Sequence, residues 1–312
     1  MRRTSLNHVH ELAKQDERVI FVGSDLGAGT LDAMRQEMPE RFFMEGIAEQ
    51  NLIGVAAGLA LEGFIPYVNT IATFLTRRCL EQLAIDVCLH KLPLRLIGNG
   101  GGMVYAPLGP THTTLEDMAL MQALPNMGLL APCDAHEMQQ LMPQTLAWQG
   151  PLYIRLAKGG DAVVSDQVEA PTLGRARLFR QGDDLLLLST GILTQRALAA
   201  AELLAGDGLN AAVLHLPMVS PLDEAAILQQ LSGKKALITL EEHSVRGGLG
   251  TAVSHLLLEQ GALQGSDAPR FKMLGFPHAW SEGYGSQNEH LSRAGLDPEA
   301  IHQSILSLLE ER

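Results

Sequence analysis

The sequence predicts an α/β fold of two consecutive three-layer units with mostly parallel sheets. Two observations carry that prediction. Apolar runs of strand length alternate with stretches of helical length along nearly the whole chain, the pattern of parallel sheets covered by helices on both faces. The alternation loosens once, in "GGDAVVSDQVEAPTL" at 159–173, which sets a boundary between a first unit over 1–165 and a second over 175–312.

The elements follow in order. Residues 3–16 have the spacing of an amphipathic helix. "RVIFVGSDL" (18–26) is a buried strand entering a turn, and "RFFMEGI" (41–47) is a second strand. "NLIGVAAGLALEG" (51–63) is a helix of small residues closed by Gly63. "FIPYVNTI" (64–71) is a third strand, "RCLEQLAIDVCLHK" (78–91) a helix, and "LPLRLIGNGGG" (92–102) a strand entering a Gly-rich loop. "TLEDMALMQAL" (114–124) is a helix opened by a Thr-x-x-Asp cap. "GLLAPCD" (128–134), "AHEMQQLMPQTLAW" (135–148) and "PLYIRLA" (151–157) are strand, helix and strand. In the second unit, strand "DDLLLLSTG", helix "LTQRALAAAELLAGDG" and strand with exit loop "NAAVLHLPMVSPLD" precede "KALITLEEHSVRGGLG", a strand, an acidic turn and a Gly-rich helix entry. "AIHQSILSLLEE" is the closing helix.

Composition narrows the function. Of 312 residues, 46% are apolar, 19% charged and 4% aromatic, which fits a globular protein with a large aliphatic core. A net charge of −12 argues against a nucleic-acid binder, which needs a basic face. Three cysteines, odd in number and without a CxxC, fit a reducing, cytoplasmic setting. The N-terminus has no apolar signal-peptide core, and no run is long and apolar enough to cross a membrane.

Open α/β sheets bind ligands outside the carboxyl ends of their strands. Those ends are "GSDLGAGT", "MEGIAEQ", "NTIATFLTRR", "GNGGGMVYAPLGPTHTTLED" and "RLAKGG", so Asp25, Glu49, Arg77, His112 and Lys158 should share one rim. Each also has a plain reading. Glu49 is a first-turn acid that the helix macrodipole favours, His112 a satisfied loop histidine, Arg77 and Lys158 surface charges, and Asp25 a helix cap. No HxxxH, CxxC or acidic triplet marks a metal site. "GNGGGM" lacks the register of a dinucleotide or Walker loop, and "GDG" at 206–208 fits a plain helix end.

The motifs are more specific as an ordered set. "GIAEQN" before a small-residue helix, then "GFIPYVNTIATFL", then "GPTHTTLEDMALMQALPNM", resembles the pyrimidine-binding half of transketolase-family enzymes. "ITLEEHSVRGGLGTAV" resembles that family's C-terminal domain, so the likeness covers almost the whole chain. The resemblance implies thiamine diphosphate as cofactor, with Glu49 hydrogen-bonded to N1′ of its aminopyrimidine. That contact favours the imino tautomer that takes the proton from the thiazolium carbon, and Glu49→Gln would keep the shape yet weaken the relay. It also implies Asp25 near the cofactor, Phe74 packed on the pyrimidine, and Ile71 where the family usually has another aromatic. His112 would face the substrate and handle protons on sugar hydroxyls. Lys158 stands where relatives carry a phosphate-binding Arg, keeping the charge without the fork geometry. Arg77 matches an Arg of the deoxyxylulose-phosphate synthase branch.

Departures from the family point to an altered substrate. Leu108 replaces an Asp that reads a substrate hydroxyl, Gly100 stands at or near a usual His, and Gly29 replaces a common phosphate-binding Ser. The family holds the cofactor diphosphate through a divalent ion with a GDG and a later Asn-Asn; the GDG here has no such pair. The expectation is therefore a subunit active only with an N-terminal transketolase subunit that holds the diphosphate and Mg²⁺, in an α2β2 assembly acting on anionic sugars. Alternatives are a β subunit of a 2-oxoacid dehydrogenase, a deoxyxylulose-phosphate-synthase-like enzyme, and a non-catalytic scaffold subunit.

Overall fold

Continuous apolar runs become central strands because a strand covered on both faces has no polar side to present. The computed structural model describes residues 1–24, 29–157 and 159–310. Its first sheet is built from β1 (Val19–Gly23), β2 (Phe42–Met44), β3 (Ile65–Ile71), β4 (Arg95–Asn99), β5 (Gly128–Leu130) and β6 (Leu152–Leu156). Its second contains β7 (Arg177–Arg180), β8 (Leu185–Ser189) and β9 (Ala211–His215), then, beyond β10 (Met218–Ser220), β11 (Ala236–Ser244) and β12 (Arg270–Phe276). β1, β4, β6, β8, β9 and β11 are buried at every residue.

Helices α1 (Arg2–Gln15), α2 (Asp32–Glu37), α3 (Glu49–Leu61), α4 (Ala72–Arg77), α5 (Leu80–Gln82), α6 (Asp117–Gln122) and α7 (Ala135–Thr145) accompany the first sheet. The rest are α8 (Leu193–Gly206), α9 (Glu224–Leu231), α10 (Leu249–Glu259), α11 (Gln287–Arg293) and α12 (Pro298–Glu310). The first sheet runs β10-β5-β6-β4-β3-β1-β2, parallel from β5 to β2; the second runs β12-β11-β8-β9-β7, parallel except at β7.

The two sheets exchange material. β10 follows β9 in sequence yet pairs antiparallel with β5, Met218 opposite Leu130. One apolar cluster consequently runs from Ile20, Val22 and Val68 through Leu129 and Ala131 to Leu216, Val219, Leu186 and Leu188. A buried ionic cluster crosses the same junction. Glu137 accepts from the Cys133 backbone at 2.7 Å, from His215 Nε2 at 2.9 Å and from Arg177 Nη1 at 2.7 Å. Burial alone would raise its pKa, but the neighbouring His215 and Arg177 pull it down to about 2.

Two local expectations are corrected. The helix expected over 78–91 forms as α5 and a π-helical stretch, Leu83–Cys88, and a separate helix, α4, precedes it over Ala72–Arg77. The Thr-x-x-Asp cap does not form: α6 starts at Asp117 without a side-chain cap, and Thr114 bridges to Gly102 instead. Asp117 turns inward, accepting from Arg155 Nε at 2.7 Å and Tyr153 Oη at 2.8 Å, because a buried guanidinium needs a carboxylate more than a helix end does. As expected, the strand gives way to a Gly-rich loop: β4 ends at Asn99, and Gly100 and Gly102 take positive φ of 71° and 73°.

Candidate active site

β2 and β3 are parallel neighbours of β1, so α3 and α4 both begin at the carboxyl edge of the sheet. α3 opens with Glu49, which is 1% exposed. Its first-turn position favours an anion, yet a carboxylate this buried also needs a specific partner. The buried face of α3 is Leu52, Ile53, Ala56, Ala57 and Ala60. On the opposite face, a side chain added at Gly54 or Gly58 would have nothing within 4 Å. The helix therefore packs closely on one face and is open on the other.

Phe74 and Arg77, expected in the loop leaving β3, lie on α4, because the chain turns helical directly after Ile71. Phe74 and Arg78 are four residues apart, which stacks them on one helical face. The Arg78 guanidinium lies 4.6 Å from the Phe74 ring centroid, and its Nη1 is 2.5 Å from Glu49 Oε2. Phe74 meets the His112 ring edge-on, centroids 5.3 Å apart. His112 Nδ1 lies 2.9 Å from Thr111 Oγ1. Glu49, Arg78, Phe74 and His112 thus form one row of contacts along the rim, with half-buried Ile71 at the start of α4.

Arg77 points elsewhere. It pairs with Glu116, donates to the Thr113 carbonyl at 2.8 Å and lies 5.4 Å from the Trp280 ring centroid. Its charge is already compensated, unlike that of a free anion-binding arginine. It lines a groove of about 520 Å³ with Leu115, Leu120, Pro277 and Trp280. Leu108 is 56% exposed on the single turn Ala106–Leu108, and Tyr284 approaches the next residue, Gly109. Gly100 is crowded by the Tyr105 ring, and Gly29 borders a small cleft beside Phe21, Phe42 and Met44. Asp25 and Lys158 lie outside the described residues.

The loop carrying Leu108 and His112 is anchored from the second sheet. Glu242 Oε1 accepts from the Met103 backbone at 2.9 Å and from Gln287 Nε2 at 2.7 Å, while Arg155 Nη2 donates to the Glu242 carbonyl at 2.8 Å. Burial pushes Glu242 up, and it pushes neighbouring Glu241 up to about 7. Sequence reasoning missed Arg78, Trp280 and Tyr284. For Arg78 the signal was present: a cation four residues after an aromatic on a helical stretch. Among the described residues, Cys133, Glu137 and His215 are close enough to hold a metal, but Glu137 and His215 are hydrogen-bonded to each other and Glu137 also to Arg177.

Comparison with known proteins decides the family. Residues 1–160 match the transketolase pyrimidine binding domain, and residues 174–301 match the transketolase C-terminal domain. The chain belongs to the transketolase family. A transketolase family protein of Sinorhizobium fredii is 38% identical over 96% of this chain and 86% of its own length. A 6-deoxy-6-sulfo-D-fructose transketolase subunit of a Clostridium species is 38% identical over 83% of this chain and 81% of its own. The 1-deoxy-D-xylulose-5-phosphate synthase of Desulforudis audaxviator is 37% identical over 97% of this chain, which spans 47% of that enzyme. A solved split-gene transketolase, in an inactive β4 tetramer, superimposes with a TM-score of 0.88 at 31% identity, covering 99% of this chain and 97% of that one.

The family depends on thiamine diphosphate, and the rim can be tested against it. A flat group that hydrogen-bonds in its plane and offers a π face matches a buried carboxylate beside an aromatic ring. The Arg78 guanidinium shows that Glu49 and Phe74 accept such a group together. The residues present fit the aminopyrimidine end of the cofactor. No helix among the described residues is long and apolar enough to cross a membrane.

Proposed function

We propose that this chain is the pyrimidine-binding subunit of a two-component transketolase that moves a two-carbon ketol unit between phosphorylated or otherwise anionic sugars. The observation that carries the reading is Glu49, a 1% exposed carboxylate at the start of α3, with Phe74 in its reach through a single flat cation. Thiamine diphosphate, when bound, supplies the nucleophilic carbon for carbon–carbon cleavage and formation. Glu49 holds a proton at the pyrimidine N1′, in a setting that burial keeps dry. Phe74 seats the ring, with Ile71 beside it, and Asp25 is assigned to the cofactor by the sequence resemblance. His112, against the Phe74 edge, exchanges protons with substrate hydroxyls. Leu108 and Arg77 are assigned to the substrate side, with Lys158 added from the sequence resemblance alone, and Arg77 can take an anion only by exchanging its contact with Glu116.

Mg²⁺ and the cofactor diphosphate are assigned to a partner subunit. Asp207 of the GDG ends α8 and pairs with His302 at 2.5 Å, so it serves the helix end. The open Gly54–Gly58 face of α3 suits close approach of a second chain, and α2β2 is the assembly proposed. The buried thiols of Cys79, Cys88 and Cys133 suit a reducing cytoplasm.

The test is a mixing assay. This chain and a candidate N-terminal subunit are combined with thiamine diphosphate and Mg²⁺, and ketol transfer is followed from a panel of ketose phosphate and sulfonated ketose donors, with each chain alone as control. Transfer only in the mixture is expected. A second reading, a synthase joining a 2-oxoacid to a sugar phosphate, is favoured by the 37% identity to such an enzyme. Release of CO₂ from pyruvate by the mixture would select it.

A further inference from the structure

We infer that Arg78 is a placeholder: its guanidinium takes the Glu49 carboxylate and the Phe74 face together, and it must leave before a flat cofactor group can use either. The inference rests on the reading of the rim as a thiamine-diphosphate site.

The geometry supports competition rather than coexistence. Glu49 is 1% exposed and its ion pair is with Arg78 at 2.5 Å. The same guanidinium lies 4.6 Å from the Phe74 centroid. A guanidinium can donate hydrogen bonds in its plane while its face meets an aromatic ring, and Arg78 both donates to Glu49 and lies over the Phe74 ring. An aminopyrimidine asks for the same two contacts from the same two residues. Without any partner, a carboxylate this buried is destabilising, so the guanidinium also steadies the chain.

Arg78 is built to move. It sits where α4 ends at Arg77 and before α5 begins at Leu80, and its side chain is 45% exposed. Release needs a rotamer change of a long side chain at the surface, which is fast and leaves the backbone in place. Occupancy of the site by Arg78 lowers apparent cofactor affinity by the fraction of chains in which it is open.

Two readouts test this. In the isolated chain, Arg78→Ala should lower the thermal midpoint, and the same substitution in a Glu49→Gln background should lower it much less. Additive effects would overturn the contact. In calorimetric titration of the reconstituted pair with thiamine diphosphate, Arg78→Ala should tighten binding about three- to tenfold. Unchanged or weaker binding would overturn displacement and make Arg78 a bystander or a ligand contact. Coupling in the isolated chain with no binding by the wild-type pair would instead refute the cofactor reading, and displacement with it. Arg78→Met, which keeps the stem, replaces the alanine variant if that one fails to fold.

Discussion

At the end of β4 and in the loop that leaves it, a side chain at any of four glycines would collide with the chain's own atoms; on the outer face of α3, a side chain at either glycine would meet nothing within 4 Å. Gly98 would strike the Tyr153 ring at 2.6 Å and Gly101 the Arg155 side chain at 2.7 Å, while Gly100 and Gly102 would strike Tyr105 and the Glu242 carboxylate. Gly54 and Gly58 have no neighbour within 4 Å. The crowded glycines are explained by this chain alone, because they let the two sheets share Arg155, Glu242 and the loop carrying His112. The open glycines are not. Each costs a helix interior about 1 kcal/mol relative to alanine and gains no contact within the chain in return. The contrast separates a junction that this chain completes from a surface that another chain can complete.

The crowded side gives the largest expected effect. Gly102→Ala puts a methyl group against Glu242, which is pinned by Met103 and Gln287, at a φ of 73° that alanine resists. Overpacking and backbone strain together should cost about 3 kcal/mol or more. Thermal denaturation should show a midpoint lower by roughly 5–10 °C. A midpoint within a degree of wild type would mean that Glu242 yields easily and that the junction is looser than its contacts indicate.

The junction should also carry a pH signature. Glu241 receives N–H bonds from Leu249 at 2.7 Å and Gly250 at 2.9 Å, yet burial pushes its pKa up to about 7 from 4.5. Between those values the folded chain binds more protons than the unfolded one, so stability falls as pH rises and the loss is complete above about 7. The difference is up to about 3 kcal/mol. Glu137, held at about 2, acts in the opposite direction, its contribution being lost only as pH falls below 4.5. Thermal midpoints of wild type should therefore fall more steeply from pH 5 to 7.5 than those of Glu241→Gln. Parallel curves would show that the two backbone donors offset the burial of the charge.

The contrast also tracks what could be read in advance. The buried strands were legible because a strand covered on both faces must be an apolar run, as "LLLLS" at β8 is. Glu49 was legible because a carboxylate opening a helix with little charge of its own stands out. Contacts that depend on which elements become neighbours were not. Arg78 and Glu49 are 29 residues apart and meet only because α3 and α4 start at the same sheet edge. β10 is three residues long, and its place beside β5 follows from a pairing that no local pattern specifies. Asp117 has the position of a cap residue and the burial of an ion-pair partner, and the tertiary demand wins.

The open glycines give the smallest effect on the chain and the sharpest test of the comparison, because two measurements should move in opposite directions. Gly58→Ala removes the helix penalty at a site with free space, so the isolated chain should gain about 1 kcal/mol of stability. Gly54→Ala should act likewise. If the face is where a second chain seats closely, the added methyl overpacks that contact by about 1–3 kcal/mol. The dissociation constant for the partner subunit should then rise roughly tenfold or more. Thermal unfolding of the isolated chain and titration of the pair read the two effects separately. A stabilised chain with unchanged association would place the partner on another surface and leave Gly54 and Gly58 without a role in assembly. A destabilised isolated chain would show that the face is already covered in solution, as by self-association of the kind in the β4 tetramer of the split-gene relative.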